Sequence, residues 1–161
     1  MTLVPREPLL LAAADISDVD RVMPVMTAAF EPRFGEAWTA SQLRTLFAVP
    51  GATLVLASYD RVVAGFYAAR LAGPESELLL LAVDPEQRRG GIGRALLDHW
   101  LVWARNAGAS DFFLEMRADN PARRLYEQMS FAECGRRPDY YLGHDGVRRD
   151  AITMRYLALE A

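Results

Sequence analysis

The stretch from Leu78 to Arg94 constrains this chain more than any other: Leu78-Leu79-Leu80-Leu81-Ala82-Val83, then Asp84-Pro85-Glu86-Gln87-Arg88-Arg89-Gly90-Gly91-Ile92-Gly93-Arg94. Six consecutive apolar residues are what a strand covered on both faces requires. Pro85 ends that strand, because it has no N–H for a sheet ladder. From Ile92 onward the apolar spacing becomes helical, with Ile92, Leu96, Trp100, Ala104 and Ala107 on one face.

The turn between strand and helix is a candidate anion site. Gly90, Gly91 and Gly93 let backbone approach a ligand, and the first N–H groups of the helix point outward unpaired. With the positive end of the helix dipole they suit phosphate, and Arg88, Arg89 and Arg94 add charge beside them. On its own a Gly-Gly-x-Gly turn equally well closes a loop. It is not the Rossmann fingerprint, because no third glycine comes three residues on. Nor is it a P-loop, because no Lys-Ser or Lys-Thr ends it.

At 161 residues, the expectation is one domain over 1–161, large enough for a core without disulfides or metal. Apolar residues at 52% and charged residues at 24% argue against disorder. A net charge of −3 gives no footprint for nucleic acid. A single cysteine fits a reducing compartment, and two histidines far from Cys134 give no zinc-ligand spacing, so no metal is expected. The apolar run Leu9 to Ala14 is too short for a signal-peptide core or for a membrane span of about 20 residues. It reads as a first strand of a cytoplasmic protein with no membrane partner.

The remaining elements are read in chain order. Asp15 to Asp18 offer caps for an amphipathic helix carrying Val19, Val22, Met23, Met26 and Phe30. Glu31 to Trp38 is a loop, and Thr39-Ala40-Ser41-Gln42 has capping-box spacing before a short helix to about Ala48. Strands Thr53 to Tyr59 and Val62 to Leu71 meet in a hairpin at Asp60-Arg61. Gly108 caps the long helix. Phe112 to Arg117 is a strand, Ala122 to Met129 a helix, and Phe131 to Arg137 and Ala151 to Leu157 are strands. The order β-α-α-β-β-β-α-β-α-β-β is mixed α/β, with a partly parallel sheet of about six or seven strands flanked by helices.

Arg88, Gly91 and Gly93 fill the fixed positions of Arg/Gln-x-x-Gly-x-Gly/Ala, and Ala82-Val83-Asp84-Pro85 and Arg94-Ala95-Leu96-Leu97 flank them. The chain thereby resembles the GNAT acetyltransferase superfamily, and within it the RimI-type N-terminal alanine acetyltransferases. Further matches are Trp38-Thr39-Ala40-Ser41-Gln42-Leu43, Leu114-Glu115-Met116-Arg117-Ala118-Asp119-Asn120, Leu125-Tyr126-Glu127 and Gly135-Arg136-Arg137-Pro138-Asp139-Tyr140-Tyr141. The resemblance implies the GNAT fold and acetyl-CoA as cosubstrate. It also implies direct transfer to a peptide or protein N-terminus by a monomer or homodimer. A small amine is the nearest alternative acceptor, and a non-catalytic acyl-CoA-binding module is the alternative from another class.

The resemblance also implies residue roles. Leu81, Ala82, Val83, Arg88, Arg89, Gly90, Gly91, Ile92, Gly93, Arg94 and Asn120 would hold acetyl-CoA. Glu115 would be the general base, acting through water, and Tyr126 the partner of the leaving thiolate. Trp38, Tyr140 and Tyr141 would edge the acceptor groove. Each has a plainer reading: an ordinary buried strand for Leu81 to Val83, a salt bridge to Arg117 or another arginine for Glu115, and core packing against the 131–137 strand for Tyr126. Asn120 doubles as a helix cap, Tyr140 and Tyr141 read as exposed loop aromatics, and Glu77 is a second base candidate. His99 and His144 read as solvated and Cys134 as a small core residue. Three features depart from the family pattern: Asn120 and Tyr126 are six apart instead of seven, Ser130 replaces a glycine, and the Glu31–Ala37 loop is longer.

Overall fold

The computed structural model describes residues 7–88 and 90–157. Its strands are β1 (Leu10–Ala13), β2 (Ala52–Tyr59), β3 (Val62–Ala72), β4 (Glu75–Val83), β5 (Asp111–Arg117), β6 (Phe131–Leu142) and β7 (Arg148–Tyr156). The helices are α1 (Val19–Ala29), α2 (Ala40–Leu46), α3 (Ile92–Asn106) and α4 (Arg123–Gln128). All seven strands form one sheet in the order β1-β2-β3-β4-β5-β7-β6, in which β4 and β5 are the parallel pair. The element order matches the sequence expectation. The main differences are extensions: β4 begins at Glu75, β6 runs on to Leu142 and β7 begins at Arg148. Tyr140 and Tyr141 therefore lie in a strand and not in a loop.

Each face of the sheet is covered by its own core. On one face α3 packs Ile92, Leu96, Leu97, Trp100 and Ala104 against Tyr67, Leu78, Phe112, Leu114, Ile152 and Met154. On the other, α1 and α2 pack Val22, Met26 and Leu43 against Leu54, Phe66, Ala68, Leu80 and Ala82. The Trp100 indole stacks on Phe131 and donates to Ser76 Oγ at 3.0 Å, so its polar atom is satisfied inside the core. The Thr39–Gln42 capping box forms as expected.

Two irregularities shape the middle of the sheet. Ala68 pairs Leu80 while Ala69 pairs Leu78, so Leu79 is an extra residue, a β-bulge. Because side chains alternate along a strand, one extra residue reverses the facing of every residue beyond it. Ser76 and Leu78 face α3, whereas beyond the bulge Leu80 and Ala82 face α1 and α2, and Leu81 and Val83 turn to the α3 side. Second, the β4–β5 pairing runs only from Glu75–Asp111 to Leu78–Leu114. Beyond that point the two strands separate, and a gap opens through the sheet.

Candidate active site

Backbone groups of β4 line that gap. Asp84 N–H donates to Ala64 O at 2.8 Å, which fixes the phase of the antiparallel β3–β4 ladder. By alternation Leu80 and Ala82 spend their N–H and C=O groups on β3. Those of Leu81 and Val83 point the other way, into the gap. Of Leu81, Ala82 and Val83, all three expected to hold acetyl-CoA, the first and last offer backbone groups to the gap and Ala82 does not.

A cavity of about 680 Å³ lies against this edge. One wall is the turn and first residues of α3: Arg88, Gly91, Ile92, Gly93 and Arg94. Gly91 caps α3 with φ +79°, a left-handed conformation that glycine adopts freely. A Cβ on Gly93 would stand 3.1 Å from Leu125 Cδ2, so glycine there lets α4 close onto the start of α3. Gly90 is in the same turn and exposed, and Arg89 lies outside the described residues. The other wall is Asn120, Pro121 and α4, with Arg124, Leu125, Tyr126 and Gln128. The glycine turn, an α3 N-terminus and arginines Arg88, Arg94 and Arg124 together fit a long ligand carrying phosphates.

A second cavity of about 290 Å³ shares Phe30, Phe34, Glu36, Leu81, Arg117, Asn120 and Tyr126 with the first. It adds Trp38, Glu115, Met116 and Tyr141. Tyr126 thus stands where the two meet. Its residue is 6% exposed, and its ring packs edge-on against Phe131, so it serves the core as well. Burial pushes its phenol above the ordinary value, and no side chain among the described residues hydrogen-bonds the hydroxyl. Asn120 Oδ1 accepts from Ala122 N–H at 2.9 Å, so this side chain caps the turn into α4 while lining both cavities.

Glu115 enters the smaller cavity half-buried. Tyr141 donates to its Oε1 at 3.5 Å, and Arg137 Nε stands 3.7 Å from Oε2. Of the salt bridges that sequence allowed, to Arg117 or to another arginine, the one formed is to Arg137, since Arg117 is engaged by Glu36 and Asp119. Glu77 lies on the same face of the neighbouring strand, paired in register with Phe113. Loss of hydration, then repulsion by Glu115, raises the Glu77 carboxyl above its ordinary value, with Arg70 opposing. Trp38 is half-buried in the cavity wall, whereas Tyr140 is 51% exposed and lines neither cavity.

Two expectations are corrected. Cys134 is exposed, because β6 is an edge strand and this position faces solvent. His99 is half-buried and its Nδ1 meets Tyr67 Oη at 2.8 Å; desolvation lowers its pKa, so it is not a solvated surface group. His144 is exposed, as expected.

Sequence reasoning missed the Arg117 cluster. The Arg117 guanidinium, in a residue 6% exposed, ion-pairs Glu36 and Asp119 and lies 3.4 Å from the Phe34 ring centroid. Arg33 and Arg149 approach the same ring at 4.5 and 4.7 Å. Asp145 N–H reaches Arg33 O at 3.4 Å. The long Glu31–Ala37 loop is thereby fastened to the end of β5 and to the β6–β7 turn, and it walls both cavities. Nothing in its composition signals this, since the partners are distant in sequence.

A model of the Acetyltransferase (GNAT) family matches residues 20–131. The ribosomal protein bS18-alanine N-acetyltransferase of Escherichia coli (strain K12) is 41% identical over 93 residues, 57% of this chain. That match spans 62% of the relative's length. Mycothiol acetyltransferase of Actinosynnema mirum is 32% identical over 123 residues, 71% of this chain and 41% of that protein. The crystal structure of the ribosomal-protein-S18-alanine N-acetyltransferase from Escherichia coli superposes with a TM-score of 0.82 at 27% identity, covering 95% of this chain and 97% of that one.

Proposed function

This chain belongs to the GNAT acetyltransferase family, and from that premise we propose that it transfers an acetyl group from acetyl-CoA to the α-amine of a protein N-terminus. The observation that carries the reading is the gap between β4 and β5, where two cavities meet at Tyr126 beneath the free backbone edge of Leu81 and Val83. The bS18-alanine N-acetyltransferase relative favours an N-terminal acceptor.

Acetyl-CoA supplies a thioester carbonyl and a thiolate leaving group. Leu81 and Val83 N–H groups offer hydrogen bonds to pantetheine amides and to the oxyanion that develops at the carbonyl. The amine must attack neutral. With an α-amine pKa of about 8, Glu115 is a sufficient acceptor for its proton, directly or through water. Glu77 alongside is the reserve base. Tyr126 meets the departing sulfur. Its phenol, weakened as an acid by burial, stabilises the thiolate by donating a hydrogen bond more than by giving up its proton.

A second reading, transfer to a small amine, is favoured by the fastened loop that walls the smaller cavity and by the mycothiol acetyltransferase relative. The test is thiol release from acetyl-CoA with peptides bearing free or blocked N-termini and with small amines. Release with free N-termini alone is expected; release with small amines alone overturns the peptide reading. Glu115→Gln should slow turnover most at pH about 6 and least at about 9.5, where the α-amine is already neutral. Parallel pH–rate profiles would move the base to Glu77.

A further inference from the structure

We propose that Arg124 recognises the ribose 3′-phosphate of coenzyme A and so selects it over the dephosphorylated form. This rests on the acetyl-CoA reading of the site. Two adjacent arginines on α4 are used in opposite ways. Arg123 does not line the cavity and is saturated: Nε meets Glu127 Oε1 at 2.9 Å and Nη2 meets Glu133 Oε2 at 3.1 Å. Arg124 lines the larger cavity together with Leu125 and Gln128, and no carboxylate among the described residues pairs with it.

The acids in that wall are already engaged. Glu31 pairs with Arg33 at 2.8 Å, and Glu36 with Arg117. The cavity therefore keeps a net surplus of guanidinium charge from Arg88, Arg94 and Arg124, and Arg88 also reaches Ala29 O at 3.4 Å. Coenzyme A carries two separate anionic centres, a pyrophosphate and a ribose monophosphate. The α3 N-terminus, with Gly91 as its cap, suits the first, and Arg88 and Arg94 come from that same segment. Arg124 comes from the other wall. It lines the same cavity as the phosphate turn but from α4, whose Leu125 abuts Gly93, so the cavity carries cations on two separate elements. A second anionic centre on the same ligand needs a second cation on a separate support, and a guanidinium fork fits a phosphate monoester in bidentate fashion.

The test compares coenzyme A with 3′-dephospho-coenzyme A by calorimetry on the native chain, Arg124→Gln and Arg123→Gln. The native chain should prefer coenzyme A by about five- to tenfold, the range expected of a solvent-accessible charge pair at or just above its upper limit. Arg124→Gln should erase that preference while leaving the affinity for the dephosphorylated form unchanged, which also shows that the variant is folded. Arg123→Gln, which removes the same charge one residue away, should keep the native preference. Equal weakening toward both ligands, or an intact preference, in Arg124→Gln overturns the assignment. A native chain that binds neither ligand overturns the acetyl-CoA reading and this inference with it.

Discussion

Tyr126 has two duties at once, and they can be separated. Its ring fills core against Phe131, and its hydroxyl opens on the junction of the two cavities. Tyr126→Phe keeps the first and removes the second. Turnover should fall about 10²-fold, the worth of one hydrogen bond to a developing charge, while coenzyme A affinity from calorimetry stays within about twofold. Thermal stability should hardly change. Loss of affinity instead would mean that the hydroxyl supports the bound ligand and not the leaving group. The core packing of Tyr126 against Phe131 was readable from sequence because the two residues lie on neighbouring elements, five positions apart. Arg117 was not: its partner Glu36 is 81 positions away, and an arginine inside a strand pattern gives no sign of which loop it will hold.

At the scale of elements, the short connections carry the informative strain. Ser130 joins α4 to β6 at φ +70°, where the family pattern has glycine. Its N–H still donates to Glu127 O at 3.1 Å and its carbonyl accepts from Leu157 N–H at 2.8 Å, so the geometry is kept against side-chain preference. Ser130→Gly should stabilise the chain by about 0.5–1 kcal/mol, read from urea unfolding, the relief of left-handed strain being partly offset by a looser unfolded state. The β6–β7 turn makes a different prediction. Hydrogen bonds from the Arg149 guanidinium, and then the Val147 N–H, hold the Asp145 carboxyl at about 2 against an ordinary 3.8. A folded value below the unfolded one means that its contribution is present above 3.8 and is lost as pH falls through about 2. Asp145→Asn should therefore be less stable than the native chain near neutrality and converge with it toward pH 2, as followed by unfolding midpoints across that range. Element order and most boundaries were legible because apolar period and caps are local signals. The extra lengths of β6 and β7 were not, since their outer halves lack an apolar alternation and are held by pairing with each other and by side-chain contacts such as Arg149 with Asp119 and Tyr141 with Glu115.

Across the whole molecule, one buried cation fixes how the smaller cavity is walled. Glu36→Ala leaves Arg117 with Asp119 alone inside a nearly closed environment. It should cost about 1–3 kcal/mol in urea unfolding, since a buried charge loses one of its partners. It should also raise the KM for the acceptor while the dissociation constant for coenzyme A stays put, because the loop closes the smaller cavity more than the phosphate turn. A shift in coenzyme A affinity of similar size would show that the loop serves both cavities equally. No pattern within the loop itself foretold this arrangement. The long Glu31–Ala37 segment was visible as an oddity of length, but its anchoring depends on β5 and the β6–β7 turn arriving beside it.

The extra residue at Leu79 bears on the strand's reading frame. A sheet strand has a two-letter grammar, inward then outward, and Leu79 is a single inserted letter that the bulge skips, so that everything up to Val83 stays in step with β3. Any substitution at Leu79 alters one word. Deleting it would leave the phrase as it stands: Leu78 and Leu80 already sit opposite the adjacent Ala69 and Ala68, so they would become neighbours in a regular strand, and Leu80 to Val83 would keep their faces and their backbone groups. The phrase would change only if Leu79 were drawn into the ladder opposite Ala68, which would carry Leu80 and Ala82 to the α3 side and hand the backbone groups of Leu81 and Val83 to β3, leaving the gap without donors.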